Sequence, residues 1–237
     1  MLGLGKKFGD DRRTHRQEIG GSWGGITKCQ NGMASGLVAG TLVATAMGWR
    51  SVDAIAKGDL VLTFDRGMQP VRHITRGRLW QADGSCPRSL WPLKVPAGAL
   101  GNLKDMILLA EQSVLVESDT ADILFEDPFA VLMASDLDGF RGIERIKPVE
   151  DFEVVQLQFD DDEVVFAASG ALIYCPSLRV VNMAELLAER PDAARYTCLD
   201  KDHAQVLIGC LRNEDAQAAR PTAHLQETAQ SPYRAAA

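Results

Sequence analysis

No stretch of this chain approaches the run of about 20 apolar residues that a bilayer crossing needs, so a membrane is not an expected partner. Positive charge is also short: 25 Lys and Arg stand against 32 Asp and Glu, a net charge of −7. Nucleic-acid binding needs a basic face, so no nucleic acid is expected, and the charge reads as a solubility feature. The five cysteines, Cys29, Cys86, Cys175, Cys198 and Cys210, are odd in number and form no close C-x-x-C pair. Neither a disulfide framework nor a zinc site is suggested. His15, His73, His203 and His224 are scattered; His203 and Cys210 would lie two turns apart on one helix, which reads as a surface pair rather than a metal site. There is no Gly-x-Ser-x-Gly elbow, no His-Glu-x-x-His and no phosphate loop, so no cofactor is expected. Residues Met1–Arg13 lack an apolar core behind their basic residues, unlike a cleavable signal peptide. The expected location is the cytoplasm, or outside the cell by a route that uses no N-terminal signal.

What is present is ordinary for a globular protein: 46% apolar and 24% charged residues over 237 positions, enough to bury a core. Residues 1–35, rich in glycine and charge, predict a flexible arm with turns at Gly20-Gly21, Gly24-Gly25 and Asn31-Gly32. Trp23 and Ile26 are candidates to dock on the body. Thr41–Thr45 reads as a strand, followed by a turn at Ala46-Met47-Gly48. Ser51 is placed to cap a short helix over 52–57, closed by Gly58. Asp59–Phe64 alternates with the period of a strand. Asp65-Arg66-Gly67 turns the chain into a returning strand, Met68–Thr75, in which Pro70 demands an edge or a strand start. Residues 76–91 predict a surface loop whose Trp80 and Trp91 cover the core, an exposed aromatic platform being the alternative. Strand signals follow at Leu93–Val95, Met106–Ala110 and Val114–Val116.

Between Thr120 and Asp138 the dense apolar residues lack clean alternation, and Pro128 breaks any single helix, so short helical or irregular pieces are expected. Phe152–Phe159 and Glu163–Phe166, joined by Asp160-Asp161-Asp162, read as a hairpin. Gly170–Cys175 adds a strand, Val181–Glu189 has a helix pattern, and a second helix is expected over 202–211. From Arg212 onward the composition predicts a disordered tail. The fold class is mainly β, with curled or barrel-like antiparallel sheets and short helices. The expected organisation is an arm (1–35), a β domain (36–178), a helical C-terminal extension (179–211) and a tail (212–237).

Gly40-Thr41, Gly48-Trp49, Ser51-Val52, Gly58-Asp59-Leu60-Val61-Leu62 and Gln69-Pro70-Val71, in this order and spacing, resemble the opening block of the Hint module, the hedgehog/intein self-processing fold, in its bacterial form. The resemblance covers roughly residues 36–178, and revives at 108–116, 130–137 and 152–177. It implies a backbone built to cut or rearrange itself. In that family a Cys or Ser at the first position attacks the preceding carbonyl, and a histidine protonates the departing nitrogen. Carried over residue by residue, the first position falls on Gly36, which has no side chain. The histidine of the second block falls near 110–113 and is placed at Ser113. The late-block histidine falls on Asp162. No asparagine follows a histidine anywhere in the chain, so the terminal step of splicing lacks its residues.

The resemblance therefore implies a degenerate module with no intact catalytic residue, acting as a scaffold or binding domain for a protein partner. Its competitor is residual self-cleavage by an N–O acyl shift at Ser35, attacking the Ala34 carbonyl and releasing a short N-terminal peptide. Asp59 and Asp65 read as turn residues. Asp160, Asp161, Asp162 and Glu163 read as a charged tip, because calcium loops need more ligands at fixed offsets.

Overall fold

A computed structural model describes residues 28–29, 32–80, 86–149, 151–177, 196 and 198–219. The strands in chain order are β1 (Lys28–Cys29), β2 (Gly32–Met33), β3 (Leu37–Val38), β4 (Leu42–Thr45), β5 (Gly48–Ser51), β6 (Leu60–Thr63), β7 (Gly67–Pro70), β8 (His73–Arg78), β9 (Leu93–Val95), β10 (Met106–Leu108), β11 (Ser113–Glu117), β12 (Phe129–Met133), β13 (Glu144–Arg145), β14 (Glu153–Gln158), β15 (Glu163–Ala167) and β16 (Ala171–Cys175). Two α-helices join them among the described residues, α1 (Asp119–Phe125) and α2 (Lys201–Ala218).

The strands form two large antiparallel sheets. A six-stranded sheet runs β13-β9-β10-β3-β14-β8. An eight-stranded one runs β12-β11-β16-β15-β4-β6-β7, with β5 added beside β4. The main core lies between them and includes Val43, Val61, Leu93, Leu108, Val155, Leu157, Val165 and Ile173. The mainly-β expectation holds, and neither sheet closes into a barrel. Pro70 falls in β7, at a sheet edge, where its missing N–H costs no ladder bond. After β7 the chain crosses to the other sheet through fully buried Val71 and becomes β8.

The expected hairpin of Phe152–Phe159 with Glu163–Phe166 does not form. β14 pairs with β3 and β8, whereas β15 pairs with β16, β4 and β6. The reason is burial on both faces: Val154, Val155 and Leu157, like Val164, Val165 and Ala167, are all buried, so each strand is central in its own sheet. The acidic link between them is held from the β7–β8 side. Arg72 bonds Asp160 at 2.7 Å, and Arg66 bonds Asp161 at 2.6 Å and buried Glu163 at 2.5 Å.

Other expectations shift locally. The helix after Ser51 is a single 3-10 turn, Val52–Ala54, and Ser51 bonds the Asp53 carboxylate rather than a backbone N–H. Phe129–Met133 is strand β12, not a helical or irregular piece; its unbroken burial hid the two-residue period. Trp80 packs against the cluster of Met33, Val38, Leu79, Leu109 and Val154. The Trp91 indole N–H donates to the Cys86 carbonyl at 2.9 Å. Neither tryptophan is an open platform. Helix α2 runs through Ala218, past Arg212 where a tail was expected. Arg141 grips Asp215 with two hydrogen bonds of 2.7 Å, and Thr120 bonds Glu214. The helix expected at Val181–Glu189, Trp23, Ile26 and most of the arm lie outside the described residues, as does the rest of the tail. No described helix is long and apolar enough to cross a membrane.

Candidate functional site

The peptide bond between Ser35 and Gly36 lies just before β3, where the chain enters the six-stranded sheet. Two side chains and a turn surround it. The Gly36 N–H donates to Gln112 Oε1 at 2.8 Å. The Ser35 carbonyl accepts from Gln156 Nε2 at 3.0 Å, and the same nitrogen reaches Ser35 Oγ at 3.1 Å. One residue upstream, the Ala34 carbonyl accepts from the Glu111 N–H at 3.1 Å.

Gln112 sits in the turn that precedes β11. Only 5% of it is exposed, and its amide is fully used. Besides accepting from Gly36, its Nε2 donates to the Ser113 and Tyr174 carbonyls, each at 2.8 Å. One side chain thus ties the start of β3 to β11 and β16. Gln156 projects from β14, on the same face as Val154 and Gln158.

Gly36 has φ +123°, a region that L side chains rarely adopt. A Cβ built there would lie 2.7 Å from Val154 Cγ1, 2.9 Å from Gln156 Cγ and 3.1 Å from the Val155 carbonyl oxygen. Glycine is therefore required both by the backbone and by the space.

The residues singled out from the sequence do not all meet here. Gly36 and Ser35 are at the centre. Ser113 does not reach the bond: its hydroxyl contacts the Cys198 thiol, and its neighbour Gln112 is the side chain that faces the Gly36 nitrogen. Asp162 is elsewhere, accepting from Tyr174 O–H and from the Ser177 N–H at 2.7 Å each. From the late part of the chain it is Gln156, not Asp162, that reaches the bond. Gln112 and Gln156 were not singled out from the sequence. The signal for Gln156 was a polar residue between Val154 and Gln158 on one face of a strand buried on both sides. Gln112 carried none beyond its place in the turn.

Little in the site titrates. Among the described residues, no ionisable side chain hydrogen-bonds to Ser35 or Gly36, and no cluster of His, Cys, Asp or Glu can hold a metal. A carboxamide is not an acid or a base near neutral pH. Cys86, Cys175 and Cys198 are poor reserve nucleophiles, because the thiolate is the attacking form. Burial pushes the Cys175 thiol up to about 12 and raises those of Cys198 and Cys86. The acidic tip is spent on Arg66, Arg72 and Tyr174. Asp59 and Asp65 serve their turns, with Arg50 and Tyr196 as partners. Asp200 caps α2, its carboxylate accepting from the His203 N–H at 2.9 Å, and the His203 ring contacts Phe125.

The two glutamines place a donor on one side of the Ser35–Gly36 peptide bond and an acceptor on the other. A donor polarises the Ser35 carbonyl, in the position from which an N–H stabilises a developing oxyanion. The nitrogen on the other side of the bond meets an acceptor that has no proton to give.

A family model described as the Hint domain matches residues 35–174. A search of curated proteins returns no match. Among solved structures, a bacterial intein-like domain from Clostridium thermocellum is 15% identical, with a TM-score of 0.43 over 59% of this chain and 98% of that one. The gp41-1 intein is 16% identical, with a TM-score of 0.38 over 58% and 97%. A splice-inactive variant of the AceL NrdHF class 3 split intein is 16% identical, with a TM-score of 0.39 over 61% and 99%.

Proposed function

Since this chain belongs to the Hint domain family, we propose that it is a module of the self-processing fold that no longer cuts its own backbone and acts as a scaffold or binding domain. One observation carries the reading: Gly36, on which the resemblance places the nucleophile, has no side chain, and a Cβ there would collide with Val154, Gln156 and Val155. Acyl shift needs a side-chain nucleophile beside the carbonyl. It also needs an acid for the departing nitrogen, because an amide anion leaves very poorly. Gln112 accepts a hydrogen bond from that nitrogen and cannot protonate it. Gln156 still donates to the carbonyl, but polarisation without attack or protonation leaves the bond intact. Losing a nucleophile and its acid together removes several orders of magnitude in rate.

The competing reading makes Ser35 a surrogate nucleophile on the Ala34 carbonyl. Its hydroxyl accepts from Gln156 Nε2 at 3.1 Å, and no base stands beside it among the described residues, which counts against an activated oxygen. An N-terminal affinity tag on wild type and on Ser35→Ala separates the two. The scaffold reading expects the tag to remain on the full chain in both proteins through prolonged incubation. A tagged peptide released by wild type and not by Ser35→Ala would establish the competing reading.

A further inference from the structure

We propose that Gly32–Gly36 is the bound ligand of a groove built to recognise it, an extended peptide of the pattern glycine, large apolar, small, serine, glycine. The proposal rests on the reading that the Ser35–Gly36 bond stays intact. The groove is lined by Gly77 on β8, Leu79 just beyond it, Glu111 and Gln112, and Val154 and Gln156 on β14. Each position of the segment is selected by what it meets.

A Cβ on Gly32 would lie 2.1 Å from the Leu79 carbonyl oxygen. Met33 is buried with Val38, Leu79, Leu109 and Val154. The groove floor makes room for it with Gly77, where a Cβ would come to 2.4 Å of the Met33 sulfur. Ala34 is 3% exposed, and its carbonyl takes the Glu111 N–H. Gln156 reads both oxygens of Ser35. Gly36 closes the pattern, its N–H held by Gln112 and its Cβ position occupied. Backbone groups that a surface leader would give to water are here paired inside the protein, and apolar Met33 adds burial to them.

Native-state hydrogen exchange on the full chain tests this, read at the Gly36 and Glu111 amides against the Val155 and Ile107 amides of β14 and β10. The expected result is exchange of all four through the same global opening, with the same dependence on denaturant. Exchange of Gly36 and Glu111 about 100-fold or more faster, through a local opening, would overturn the proposal. Met33→Asp in the full chain supplies a second arm. It is expected to expose the groove, and a synthetic peptide of residues 28–35 is expected to restore Glu111 protection, while the same peptide carrying the aspartate does not. A folded Met33→Asp chain that ignores both peptides would also overturn it. Mass measured on the same sample keeps the two readings apart: a cut chain defeats the scaffold reading, whereas an intact chain with fast local exchange defeats this proposal alone.

Discussion

A methyl carbon added at Gly36 would press on two side chains and one carbonyl, so restoring the family's nucleophile is not a matter of one substitution. Gly36→Cys is expected to cost about 1–3 kcal/mol by overpacking, measured by urea unfolding, and to leave the chain uncut. Gln112 invites the opposite change. A neutral imidazole in Gln112→His accepts from the Gly36 N–H and reaches one of the two carbonyls that Gln112 now serves; an imidazolium cannot accept at all. The folded state would therefore favour the neutral ring and depress its pKa. The variant's stability is expected to be present above about pH 6.5, the ordinary histidine value, and to fall as pH drops below it; urea midpoints at pH 8 and pH 5.5 check this. At this scale the Gly40-Thr41 spacing points to Gly36, where the structure has a glycine that the backbone and the surrounding space both require. Gln112 was not legible, because the alternating Val114–Val116 run fixes a strand but not which turn residue before it faces inward to Gly36.

The elements show how tertiary partners overruled local pattern. The Asp160–Asp162 link looks like a hairpin turn, yet Arg66 and Arg72 draw it across from one sheet to the other. Burial raises the Glu163 carboxyl above its ordinary value although Arg66 opposes the shift. With Arg66→Met that opposition is gone and the pKa rises further. The variant is then expected to be destabilised by about 1–3 kcal/mol at pH 8, the cost of a buried group left without its partner, and to recover as pH falls and Glu163 takes up its proton. Equal loss at pH 8 and pH 5 would contradict the assignment. Helix α2 behaves with the other sign. Hydrogen bonds from His203 and from Arg141 hold Asp200 and Asp215 below the usual carboxylate range. Their contribution is present above about pH 4 and is lost as pH falls through their lowered values, so helical circular dichroism is expected to drop in acid before the sheets melt. Leu207, fully buried under α2, is expected to cost about 2–5 kcal/mol when cut to alanine. The helix outran its predicted end at Leu211 because Thr120 and Arg141, distant in sequence, hold Glu214 and Asp215.

For the molecule as a whole, alternation and turn residues were enough to give curled antiparallel sheets and most strand positions. They could not give sheet membership, which depends on burial of both faces of β14 and β15. They could not show that two glutamines hold the Ser35–Gly36 bond from opposite sides, because side-chain amides leave no spacing motif. In the proposed reading, the fold keeps the Ser35–Gly36 bond intact. Intact mass of the purified chain, followed through prolonged incubation with hydroxylamine or a thiol, tests it most directly. A single species at the full 25.8 kDa is expected. A growing fragment that lacks residues 1–34 or 1–35, or a trapped ester or thioester, would contradict it.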